Sequence, residues 1–135
     1  MVYGDGAANN LNGRGGNDTL YGLAGNGFLL GEAEADRFVF NTAPSDRNPD
    51  VIGDFVSGLV TIGLHQLYFG SADDGGGAPR LTLSAAAEKI DATLLFDTSK
   101  ELLLFDDDGT GLNAAQPFVY LSKVNLQHES DFYFV

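Results

Sequence analysis

Acidic side chains fall in a counted pattern in the first forty residues. Glycines stand nine apart at Gly4, Gly13, Gly22 and Gly31, and large apolar residues follow each by seven places at Leu11, Leu20, Leu29 and Phe38. The sixth place of each unit is Asn9, Asp18, Gly27 or Asp36, and Gly13–Tyr21 is the fullest copy of the pattern G-G-x-G-x-D-x-U-x. Carboxylates repeated at one phase of a glycine-rich turn suit a hard divalent cation. Calcium takes about six to eight oxygens at about 2.3–2.6 Å, and backbone carbonyls can complete a shell begun by two aspartates.

Such a site needs a scaffold with the same period. Each unit divides into a six-residue turn and a three-residue strand, and two units make one coil. Glycine is expected in the turns, because positive φ costs a residue with a Cβ about 1–2 kcal/mol. Coils stacked at the sheet spacing of roughly 4.8 Å set Leu11 on Leu29 and Leu20 on Phe38. Asp18 and Asp36 then share one edge, a single coil apart, where they repel unless an ion lies between them. On the opposite edge Asn9 and Gly27 replace both acids. At most the carbonyls of Asp5, Ala7, Gly22 and Ala24 and one amide oxygen remain there, so that site is expected to be weak or empty.

Two coils bury too little to stand alone, so the rest of the chain must cap them. Its apolar runs Val51–Ile52, Val60–Leu64, Leu94–Phe96, Leu102–Phe105, Phe118–Leu121 and Phe132–Val135 are short, rich in β-formers and bounded by turn residues. They predict strands and a sandwich-like cap. One short helix is expected over Ser84–Ile90, and a loop over Ser71–Pro79.

The tract Gly4–Val39 resembles the β-roll of RTX (repeats-in-toxin) proteins. Ala35–Phe40, Pro49–Gly58, Leu95–Asp97, Leu104–Gly111 and Ser130–Phe132 resemble the C-terminal domain of the serralysin-like members of that family. The resemblance implies an all-β fold: a short right-handed parallel β-roll of two coils over residues 1–40, capped by a β-sandwich-like region over 41–135, in one continuous domain. It further implies that calcium is held by Arg14, Gly16 and Asp18 of one turn with Gly31, Ala33 and Asp36 of the next coil. Glu32 and Glu34 stand where the family has glycine. The run Gly58–Gly63 lacks both acids of the family pattern, so a further calcium site using Asp50 is not expected, while the sequence leaves open whether Asp54 binds metal. Export by a type I secretion apparatus reading the C-terminus is also implied, and Glu129–Val135 is similar to such an ending, although a last strand explains it equally well.

The net charge of −12 opposes nucleic acid and anionic membrane surfaces, which need basic patches. No run of about eighteen apolar residues could span a bilayer. There is no cysteine for disulfides or thiolate sites. No signal peptide is visible, and Val2 and Tyr3 fit places eight and nine of a preceding repeat. Asp106-Asp107-Asp108-Gly109 echoes the start of an EF-hand loop, but its twelfth place is Pro117, so a hairpin turn is expected. His65 and His128 lack zinc spacing and read as surface or partly buried. No nucleophile elbow or Cys/His pair suggests catalysis.

The expectation is a non-catalytic, secreted, extracellular calcium-binding module that folds on calcium after export and carries the secretion signal of a larger protein. A calcium-dependent polysaccharide-binding or adhesive module is the alternative.

Overall fold

The computed structural model describes residues 1–44, 49–70, 79, 81–82, 93–108, 114–122 and 129–135. The helix expected over Ser84–Ile90 and, apart from Pro79, the loop over Ser71–Pro79 lie outside these residues.

The described residues form strands with almost no helix. In order they are β1 (Val2–Tyr3), β2 (Asn10–Asn12), β3 (Thr19–Tyr21), β4 (Phe28–Leu30), β5 (Arg37–Phe40), β6 (Asp50–Ile52), β7 (Thr61–Leu64), β8 (Leu81–Thr82), β9 (Thr93–Asp97), β10 (Leu102–Asp106), β11 (Gln116–Leu121) and β12 (Phe132–Phe134). The nine-residue phase sends successive strands to alternate sheets, because each glycine-rich turn reverses the chain. One sheet runs β1-β3-β5-β7-β12 and the other β2-β4-β6-β11-β10-β9-β8.

Every pairing in the five-stranded sheet is parallel. Leu20 pairs with Phe38 there, and Leu11 with Leu29 in the other sheet, as the period requires. The parallel ladders run on past residue 40, through β6 and β11 on one side and β7 and β12 on the other. Neither sheet closes on itself, and the seven-stranded one is mixed. β9, β10 and β11 pair antiparallel, with a register shift between Leu103 and Leu104.

The core lies between the sheets. Leu20, Phe38, Ile62 and Leu64 from one face Leu29, Ile52, Leu94, Leu103 and Leu121 from the other, all of them buried. Burial of such side chains is worth about 1.5–3 kcal/mol each. Periodicity did not give β8, the 3-10 turn Glu129–Asp131 or the single-turn helix α1 (Gln66–Phe69). The second amide of α1 is capped by His65, whose Nδ1 accepts from Leu67 N at 3.2 Å, and the helix carries Phe69 into the core against Phe105 and Phe118. His65 is therefore half-buried, as expected, and His128 lies outside the described residues.

Candidate metal centre

The turns Gly13–Asp18 and Gly31–Asp36 stack one rung apart. Their second and fourth places take positive φ: Arg14 72°, Gly16 99°, Glu32 74° and Glu34 79°. The turn between them repeats this at Leu23 and Gly25. Glycine is thus not required at every such place. Glu32 and Glu34 keep the backbone path that glycine would take, each at a cost of about 1–2 kcal/mol.

Backbone bonds fix the rungs in register. Arg37 N donates to Asp18 O at 2.8 Å, and Ala33 N to Arg14 O at 3.4 Å. Asp18 N donates to Asp36 Oδ1 at 2.9 Å. Asp36 is 1% exposed, and its Oδ2 is buried with no hydrogen-bond partner. That oxygen faces the bare Cα of Gly31, where a Cβ would collide with it. A Cβ on Gly13 would lie 3.0 Å from Asp18 Oδ2 and 3.1 Å from Gly31 O, so these two oxygens crowd the same spot. Asp18, Asp36 and Gly31 O are therefore brought together, while Arg14 O is engaged by Ala33. Gly16 lies on the same stacked turns, and a Cβ on it would be 3.9 Å from Glu34 Oε2.

Electrostatics favour a cation at this edge. Burial raises the pKa of Asp36 above the ordinary carboxylate value, the Asp18 amide opposes the rise, and the charges of Asp18, Asp54 and Glu34 add to it. The Met1 ammonium reaches Asp18 Oδ1 at 3.3 Å. A cavity of about 370 Å³ opens here, lined by Asn17, Asp18, Thr19, Ala35, Asp36, Arg37, Leu59 and Thr61.

The opposite edge holds an acid that the repeat count did not assign. Asp50 stands one rung beyond Gly27, and Gly27 N donates to Asp50 Oδ1 at 2.7 Å, repeating the bond from Asp18 to Asp36. The Asp50 carboxylate lies against Gly22 and Gly27, in the space that a side chain at residue 27 would have filled. It is 3% exposed. Burial pushes its pKa to about 6 against the opposing pull of the Gly27 amide. The sequence signal was Asp50-Val51-Ile52, which matches Asp18-Thr19-Leu20 and Asp36-Arg37-Phe38, but the spacing of fourteen from Asp36 breaks the nine-residue phase. Elsewhere on this edge Asn9 Oδ1 accepts from Asp5 N at 2.6 Å, and the carbonyls of Ala7 and Gly22 press on Gly25 and Gly4 of neighbouring turns.

Asp54 caps the other stack, accepting from Gly31 N at 3.2 Å and Glu32 N at 2.6 Å. Asp131 is buried and accepts from Ser57 Oγ and, at 2.8 Å, from Gly58 N. The carboxylates of Asp106, Asp107 and Asp108 gather within 4.8 Å of one another. There Asp106 Oδ1 accepts from Asp108 N at 3.2 Å, where β10 leaves towards its antiparallel partner β11, which is the turn chemistry expected of a hairpin.

No protein-family model matches this chain, and no curated protein is significantly similar to it.

Proposed function

We propose that this chain is a calcium-binding, non-catalytic module of the RTX type. In this reading its stacked nonapeptides form a short right-handed parallel β-roll, and the later strands form a sandwich-like cap. The ion is held by Arg14, Gly16 and Asp18 with Gly31, Ala33 and Asp36. One observation carries the reading: the second oxygen of Asp36 is buried without a partner, one rung from Asp18. Leaving a buried polar atom unmade costs about 1–3 kcal/mol, and more for a charged group. A divalent cation bridging the two carboxylates removes that cost and their mutual repulsion together.

The function that follows is a folding switch. Extracellular calcium modules bind at about 10⁻⁴–10⁻³ M, so the site fills outside a cell and empties within one. Ion binding to the folded form alone then drives folding by mass action. This suits a secreted segment of a larger protein, exported unfolded by a type I apparatus. A circular dichroism titration with calcium tests it: the parent gains strand signal, and the Asp18→Ala, Asp36→Ala double variant gains none. Equal ordering of the two, or full ordering of the parent under chelator, sinks the reading.

A further inference from the structure

A second pocket adjoins the acidic edge and has a different chemistry. Its volume is about 320 Å³, and it is lined by Arg37, Thr61, Ser130 and Tyr133. That places it at the lower end of the range of about 300–1,000 Å³ usual for small-molecule sites. Among the described residues the lining offers one guanidinium and three hydroxyls, and no carboxylate.

The pocket is built by the strands. Arg37 and Thr61 are register partners on β5 and β7, so their side chains stand side by side on one face. Tyr133 pairs with Gly63 and lies over it: a Cβ on Gly63 would be 2.8 Å from the Tyr133 hydroxyl and ring, so the missing side chain makes room for the phenol. Tyr133 in turn supports Arg37, whose guanidinium carbon is 5.8 Å from the ring centre.

Arg37 is exposed in a chain of nineteen acids, yet it forms no ion pair among the described residues. Its neighbour Asp36 turns inward to the stacked turns instead. A guanidinium held open in this way is suited to grip a carboxylate through two parallel bonds. Hydroxyls that both donate and accept suit the hydroxyls of a sugar ring. We propose that this pocket binds a carboxylate-bearing sugar, a hexuronate unit of an acidic polysaccharide.

Calcium enters through electrostatics. The pocket shares Arg37 and Thr61 with the cavity that holds Asp18 and Asp36. Two bare carboxylates there repel an arriving uronate, and a bound cation cancels that repulsion. To this extent the inference rests on the calcium reading, and the ligand binds more tightly with calcium than under chelator.

The test titrates the protein in saturating calcium with a short oligoglucuronate, its neutral oligoglucoside counterpart and sulfate, by calorimetry, with circular dichroism on the same samples. The expected result is saturable uronate binding, with the neutral sugar and sulfate weaker by about tenfold or more. Arg37→Ala and Arg37→Lys lose about tenfold with unchanged dichroism, and Thr61→Val loses less. Equal binding of the neutral sugar, equal binding of sulfate, unchanged binding by Arg37→Ala, or no uronate binding by a folded chain each overturns the proposal. Should the chain fold under chelator, the calcium reading fails, and the uronate titration on that folded chain still decides the pocket.

Discussion

Asp18 and Asp36 are joined across one rung by the Asp18 amide, which donates to one oxygen of Asp36 and leaves the other buried and unmatched. Asp36→Asn keeps an acceptor for that amide and removes the charge. Under chelator the variant shows more strand signal than the parent, because the buried charge and its repulsion from Asp18 are gone. In calcium the order reverses. At a hundredfold excess over its Kd the ion stabilises the parent by about 2.7 kcal/mol, and the variant loses most of this. Circular dichroism in the two buffers checks the crossing, and a parent that stays ahead in both would contradict it.

Asp50 makes stability depend on pH. Burial raises its pKa from 3.8 to about 6, so between these values the folded chain holds a proton that the unfolded chain has released. In saturating calcium, where the chain is folded, stability therefore falls as pH rises from about 4 to about 6 and levels off above. Asp50→Asn preserves the bond from Gly27, matches the parent near pH 4 and exceeds it above pH 6. Urea midpoints across this range provide the check; an Asn variant with the parent's full slope would exclude Asp50 as the source.

Glu34 sits at φ 79° and is exposed, so its side chain offers little to offset the backbone cost. Glu34→Gly removes about 1–2 kcal/mol of conformational strain and adds about 0.5–1 kcal/mol of unfolded-state entropy. The net expectation is a gain of about 0–1.5 kcal/mol, read as a higher denaturant midpoint at constant slope. A lower midpoint would mean that Glu34 itself does stabilising work in the turn.

Gly63→Ala pushes a methyl group against Tyr133 and Val39, at 2.8 and 3.2 Å before any relaxation. Overpacking of this kind costs about 1–3 kcal/mol. It loosens β12 from β7, so amide exchange of residues 132–134 accelerates while that of β3 and β5 is little changed. Uniform acceleration throughout the five-stranded sheet would show that β12 does not act locally.

Much of the architecture was readable because the nine-residue phase ties local and long-range structure together. Once Leu20 and Phe38 occupy the same place in their units, their pairing and the alignment of Asp18 with Asp36 follow. The later strands were readable as apolar runs, but not their partners: nothing local in Val119 announces a parallel match to Asp50 beside an antiparallel match to Leu103. The place of Asp50 opposite Gly27 was not readable because the longer connection after β5 breaks the count, although the ladder resumes in phase. The helix at Gln66–Phe69 is too short for any period, and its cap is a histidine rather than a Ser, Thr, Asp or Asn. The Arg37 pocket depends on Tyr133 crossing to Gly63, a contact that only the paired strands create.

The pairing of β12 with β7 also bears on the order of assembly. Phe132 joins Ile62 seventy positions away in sequence, whereas β3 and β5 are neighbours at eighteen. Loop closure over such a span makes this the late, slow step of folding. Until it is taken, β7 remains a bare edge able to recruit a strand from another molecule. A chain kept from completing that step is a candidate for clumping, so whatever speeds its arrival also protects solubility.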